Sequence, residues 1–343
     1  MKPENILIIQ TAFIGDIVLT IPMLKRLKDR FPGTRLTMLT TPAGGGLMTG
    51  QPCLDDVILF DKRNADRGLR GLARLSGSLR DRKFDMVISP HRSFRSSIIA
   101  RMTGSPERIG YRENSLSFLY TSRVRRNPAL HEVERIMALL EPVKPGLSAE
   151  PFDLGLELSE DDMGHADDFI AAAGAAGKRI VAVCPGSNWA TKMWTEDGFA
   201  GLCNGLEKMG RTPMILGDSR DGHLGKVIAS RAGGAVIDAT GKTGLRLFAS
   251  ILRRSGLLVC NDSGPGHIAR AVGTPVVAVF GPTVTGFGFV PYGGQVRVVE
   301  VNGLKCRPCD PHGPAVCPIG THECMESISA GEVLDRCREL LNN

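Results

Sequence analysis

Residues 256–283 read GLLVCNDSGPGHIARAVGTPVVAVFGPT. Two apolar runs of strand length are interrupted at 260–267 by CNDSGPGH, which packs an acid, a hydroxyl, two glycines, a proline and a histidine into a few positions. A strand that ends in such a turn and restarts as a helix is the signature of a βαβ unit, whose connection carries its polar residues past the carboxyl end of the strand. The stretch therefore predicts an α/β fold with a parallel sheet, and it marks one place where a charged ligand would be met.

The same alternation extends in both directions. IVAVCPG (180–186), TPMILGD (212–218), AVIDATG (235–241) and LLVCND (257–262) read as strands, with helices predicted over 195–209, 221–232, 245–254 and 265–272, and PVVAVFG (275–281) follows as another strand. Upstream, NILIIQ (5–10), RLTMLTT (35–41), DVILFD (56–61), FDMVISP (84–90) and RIGYR (108–112) read as strands. Between them, helical spacing covers 15–31 with a kink at Pro22, a basic segment at 68–82, and 94–103. A helix near 131–141 ends at Pro142, and the proline and glycine content of 143–158 marks a linker. Ser159, three residues ahead of Asp162, begins the next helix in a capping-box pattern. The expectation is two doubly wound Rossmann-like domains, 1–150 and 151–343, facing each other across a cleft.

Composition narrows the class. The chain has 343 residues, 42% hydrophobic and 23% charged, as a globular protein of two ordinary domains has. No apolar run approaches the length of a membrane span, and Glu4 and Asp16 bracket the apolar N-terminal stretch, so a buried first strand and a cytoplasmic protein are expected. Charge is uneven: residues 1–150 carry 24 Lys+Arg against 15 Asp+Glu, and residues 151–343 carry 18 against 21. A basic first half favours an anionic partner there, or is simply a solvated arginine-rich surface. With 5% aromatic residues and no stacking motif, nucleic acid is disfavoured.

The loops after the strands carry the candidate chemistry. Ser263, Gly264 and Gly266 would let a diphosphate approach the amides that open a helix, His267 could donate to a phosphate oxygen, and Asp262 would accept from backbone amides or a ribose. The plain alternative is a helix cap by Ser263 or Asp262 without a ligand. After strand 180–186, Ser187 and Lys192 fall in PGSNWATKMWTEDG, where a lysine held between Trp189 and Trp194 could neutralise a phosphate leaving group or could just lie at the surface. Gly217 and Asp218 follow the next strand and could reach a nucleoside. In QTAFIGDIVLTIP, Thr11, Gly15 and Asp16 lie at a strand-to-helix turn that lacks the GxGxxG fingerprint, so a dinucleotide cofactor is disfavoured. Asp16 could take a proton from an incoming hydroxyl, or serve only to complement a helix dipole.

Together, GDIVLTIP (15–22), the PGS…KMW loop (185–194) and NDSGPGHIARAVGTPVVAVFGPT (261–283) resemble glycosyltransferase family 9, the bacterial ADP-heptose:lipopolysaccharide heptosyltransferases. PHRSFRSSIIARMTGSPERIGYR (90–112) and the late cysteines are similar to the heptosyltransferase II branch. The resemblance spans nearly the whole chain, and only Pro265-Gly266 departs from the family's pattern. It implies a GT-B fold with the donor on the C-terminal domain and the acceptor on the N-terminal one. It also implies inverting heptose transfer from ADP-heptose to the inner core of a lipopolysaccharide precursor, the second heptose in particular, with no cofactor required. Asp16 would then be the general base and Lys192 a phosphate contact, with Thr11, Gly15, Ser187, Gly217, Asp218, Asp262, Ser263, Gly264, Gly266 and His267 on the donor. His91, Arg92 and Arg95 would meet an anionic Kdo- and heptose-bearing lipid, with peripheral contact to the inner membrane. The alternatives are a related transferase or epimerase using a different nucleotide sugar, and a non-catalytic glycan-binding protein.

Nine cysteines are present. Cys53, Cys184, Cys203, Cys260 and Cys337 are scattered, several of them in apolar runs, and read as small buried groups. Cys306, Cys309, Cys317 and Cys324, with His312 and His322 nearby, offer a structural zinc set, although the second pair is spaced more widely than a zinc knuckle. Reduced thiols in a compact loop are the favoured reading.

Overall fold

The structure is a computed structural model. It describes residues 3–149 and 152–342 except 63 and 65, and only the backbone of 69 and 70. The chain divides into two compact units, Met1–Glu157 and Leu158–Asn343. The expected boundary at 150/151 lies outside the described residues.

The first unit holds β1 (Asn5–Gln10), β2 (Arg35–Thr40), β3 (Asp56–Leu59), β4 (Met86–Ser89), β5 (Glu107–Tyr111) and β6 (Ser122–Val124), in the order β3-β2-β1-β4-β5-β6. The second holds β7 (Ile180–Cys184), β8 (Thr212–Ile215), β9 (Ile237–Asp238), β10 (Leu257–Asn261), β11 (Val276–Phe280) and β12 (Val296–Glu300), in the order β12-β11-β10-β7-β8-β9. Both orders are the same doubly wound topology, and every pairing is parallel. The central strands are buried on both faces, which is why they read as continuous apolar runs. In the first sheet, Leu7, Ile9 and Val87 pack against Leu75, Leu79 and Ile99. In the second, Val181, Val259 and Val277 pack with Trp194, Phe199 and Val333.

This topology positions the sites. Strand order reverses between β1 and β4 in one sheet and between β7 and β10 in the other. Loops leaving such neighbours diverge to opposite sides and open a crevice at the carboxyl edge.

Several elements differ from the sequence reading. The helix expected over 15–31 is two, Ile14–Val18 and Ile21–Arg30. Pro22 lies in the first turn of the second, where its missing N–H has no partner to lose. The strand read over 235–241 is only Ile237–Asp238, an edge strand. Helix Pro42–Met48, β6, β12 and the C-terminal helix Ala330–Leu341 were not legible; the two strands are half-buried edges without a long apolar run. Ala330–Leu341 packs on helix Glu196–Lys208, where Leu334 occupies the space a Cβ on Gly205 would need. The capping box of Ser159 and Asp162 forms as expected. The five scattered cysteines are buried. No helix among the described residues is long and apolar enough to cross a membrane.

Candidate functional site

Each unit brings its own group of predicted residues to the carboxyl edge of its sheet. In the first, the loops after β1 and β4 are joined by a hydrogen bond between Thr11 Oγ1 and His91 Nδ1, 2.9 Å. Ser96 Oγ lies 3.0 Å from the same nitrogen, and Lys62 Nζ donates to the Thr11 carbonyl at 2.9 Å. Burial first, then the charges of Lys62 and Arg92, lower the pKa of His91 to about 4, so its ring is neutral. Arg92 and Arg95 are exposed, and the Arg95 guanidinium lies 5.7 Å from the Phe94 ring.

Asp16 sits half-buried in the helix Ile14–Val18, beside the buried Gly15. Its carboxyl is raised to about 7, chiefly by burial and further by the negative charge of Glu132. Backbone hydrogen bonds at Phe13 and Asp16, and the charge of Arg126, pull it back only in part. A carboxyl balanced near neutrality can accept a proton and release it again, as a general base must.

Sequence reasoning missed the charged cluster that adds to the effect of burial on Asp16. Glu132 is buried, bonded to Arg126, and 3.0 Å from Arg135, which is itself buried and donates to the carbonyls of Asn127 and Pro128. RVRR at 123–126 and the Glu132/Arg135 spacing within HEVER were visible, but more than a hundred residues separate them from Asp16. Only folding brings the charges together.

In the second unit, Lys192 Nζ lies 2.6 Å from Asp262 Oδ2, with side chains 11% and 9% exposed. Lys192 is therefore not a surface lysine. Thr283 Oγ1 donates to the same carboxylate oxygen at 2.7 Å. Within the protein Asp262 thus holds a lysine and a threonine, and Thr283 is a site residue that sequence reasoning missed, though GPT at 281–283 ends the quoted stretch. The loop carrying Lys192 is tied to β10 by Asn261, wholly buried, which accepts from the Trp194 amide at 3.0 Å and donates to the Pro185 carbonyl at 2.7 Å.

The helix Gly264–Ala271 begins without a side-chain cap. Ser263 stands at the cap position, but its hydroxyl bonds back to the Asn261 carbonyl at 3.1 Å. Gly264 opens the helix, and His267 is buried in it. Gly266 is accounted for by packing: a Cβ there would meet Pro291 Cγ at 2.8 Å. Gly217 likewise lies against Asp221, 2.5 Å from where its Cβ would be. Asp218 caps the following turn with its carboxylate held by Arg220, and Ser187 accepts from the Trp189 amide at 3.3 Å. Each of these residues has a local contact that shapes its turn.

Cys306, Cys309 and Cys317 are half-buried free thiols and Cys324 is a buried one. Among the described residues no group of three or more His, Cys, Asp or Glu side chains is arranged to hold a metal ion. One of the thiols donates to a backbone carbonyl, Cys309 Sγ to Cys306 O at 3.1 Å.

The family model of glycosyltransferase family 9 (heptosyltransferase) matches residues 72–314. Lipooligosaccharide heptosyltransferase 2 of Haemophilus influenzae is 25% identical over 98% of this chain and 99% of that protein. The lipopolysaccharide core heptosyltransferase OpsX of the same organism is 25% identical over 87% of this chain and 85% of its own length. A glycosyl transferase family 9 structure from Veillonella parvula superposes with a TM-score of 0.89 at 24% identity, covering 99% of this chain and 97% of that one. The ADP-heptose lps heptosyltransferase II of E. coli superposes with a TM-score of 0.80 at 23% identity, covering 98% of both. The likeness establishes the fold, two Rossmann-type units in one chain, which is the GT-B class expected from the sequence.

Proposed function

The chain belongs to glycosyltransferase family 9, and from that premise we propose that it transfers heptose from ADP-heptose to the inner core of a lipopolysaccharide precursor, with inversion and with Asp16 as general base. The observation that carries this reading is the family match over residues 72–314, and Asp16, in the helix that follows β1 with burial raising its carboxyl to about 7, fits the base. The acceptor hydroxyl oxygen attacks the anomeric carbon, its proton passes to Asp16, and the bond from that carbon to the phosphate oxygen breaks. The departing ADP takes the electron pair. Charge developing on the diphosphate calls for fixed cations and amides, and the second unit offers Lys192 and the uncapped start of Gly264–Ala271.

The reading divides the labour between the units. The second binds the nucleotide diphosphate, with Lys192 shared between Asp262 and the phosphates and with Ser187, Gly217 and Asp218 framing the nucleoside side. The first binds the acceptor, whose acidic sugars meet His91, Arg92 and Arg95, while Thr11 and Gly15 lie on the donor. An anionic lipid acceptor also favours peripheral contact of the basic first half with the cytoplasmic membrane surface. Addition of the second heptose is supported by the end-to-end match to the Haemophilus influenzae heptosyltransferase 2. The reaction needs no cofactor beyond the donor.

The test is transfer from ADP-heptose to a deacylated Kdo core acceptor, with and without one heptose attached, by the parent and by Asp16→Ala. Turnover on the heptosylated acceptor alone, lost in the variant while ADP still binds, is the expected result. Turnover only on the bare Kdo acceptor reassigns the position. Failure to bind ADP-heptose overturns the donor.

A further inference from the structure

The cysteine-rich segment that the reaction leaves unexplained packs directly behind the Lys192–Asp262 pair. His322 Nε2 lies 2.8 Å from the carbonyl of Thr191, the residue before the lysine. A carbonyl only accepts, so Nε2 carries the proton and the contact sets the ring's tautomer. Thr191 Oγ1 in turn donates to the Pro314 carbonyl. Gly313, buried with φ +82°, brings its backbone so close that a Cβ would stand 3.2 Å from Lys192 Cγ.

The other half of the pair is held from the same segment. Arg307 Nη2 donates to the Thr283 carbonyl at 2.7 Å and to Glu300 at 2.7 Å, and the Cys309 amide donates to the Pro282 carbonyl at 3.0 Å. Thr283 is the residue whose hydroxyl binds Asp262. One loop thus grips the backbone beside Lys192 and the backbone of Thr283, whose hydroxyl holds Asp262. His322 also adopts a left-handed backbone, φ +49°, uncommon for a residue with a side chain. A strained position held by a specific ring contact points to a role for that ring.

We propose that residues 306–322 are a brace that seats Lys192 and Asp262, and that His322 is the positioning residue on the lysine side, setting affinity for the donor diphosphate through Thr191. The proposal rests on the reading of Lys192 as a phosphate contact.

The test is calorimetric titration of ADP into the parent, His322→Ala, His322→Gln, Lys192→Ala and the His322→Ala/Lys192→Ala double variant, with donor and acceptor KM measured alongside. His322→Ala is expected to weaken ADP by up to about tenfold, the range of one net hydrogen bond. Acceptor KM stays unchanged. His322→Gln, whose amide can donate to the same carbonyl, recovers most of the loss. In the Lys192→Ala background, removing His322 has no further effect, because its influence runs through the lysine. An equal loss in both backgrounds, or unchanged ADP affinity in a folded His322→Ala, overturns the brace. Unchanged ADP affinity in Lys192→Ala overturns the phosphate reading first, and the brace with it.

Discussion

Lys192 Nζ and Asp262 Oδ2 stand 2.6 Å apart across the point where the second sheet reverses its strand order. The relationship ties the loop after β7 to the loop after β10, at the edge where a doubly wound sheet receives its ligand. The first sheet has a neutral counterpart: Thr11 and His91, 2.9 Å apart, join the loops after β1 and β4. Both crevices are therefore spanned by a side-chain contact.

Removing one member of the buried pair leaves an uncompensated charge. Lys192→Met or Asp262→Leu alone is expected to cost about 3–5 kcal/mol, while the double variant loses much less than the two together. Urea unfolding of the three proteins checks this, and strictly additive losses would show that the pair is not coupled.

Asn261 is wholly buried and bonds both the Trp194 amide and the Pro185 carbonyl. Asn261→Leu strands two buried backbone groups and is expected to cost about 2–4 kcal/mol. Because Trp189 and Trp194 are the only tryptophans and flank the lysine loop, their fluorescence should shift in the variant.

Asp16 predicts two pH effects of defined sign. With its carboxyl raised to about 7, the proposed base role predicts that kcat/KM climbs with pH and levels off above about pH 7, where Asp16 is ionised. For stability, the native carboxyl holds its proton above the unfolded value, so its ionisation costs the fold on the order of 4 kcal/mol once pH exceeds 7. Asp16→Asn should be inactive yet more stable than the parent above pH 7, with the difference shrinking as pH falls toward 4. A variant of equal stability at pH 8 would rule out the raised carboxyl.

His91 works with the opposite sign. Its native pKa of about 4 lies below the ordinary value of 6.5, so the unfolded chain binds the extra proton in that window. The parent should lose about 3 kcal/mol from this group as pH falls from 6.5 to 4. His91→Gln, which does not titrate, should lack that component in denaturant unfolding followed across the same range.

The linear order of residues already carries the frame. Runs such as IVAVC and LLVCN are apolar on both faces because central parallel strands are covered on both faces, and the polar turns that follow them mark the ligand edge. From that pattern alone the two doubly wound units, the Lys192 loop and the Asp16 turn were legible. Tertiary structure decided which charges meet. Glu132 and Arg126 tune a carboxyl more than a hundred positions away, Thr283 and Lys192 share one oxygen of Asp262, and His322 reaches back over 131 residues to Thr191. Periodicity is a local property and survives in the linear order of residues; electrostatic and hydrogen-bonded partners depend on distances of a few ångströms, which the linear order does not contain.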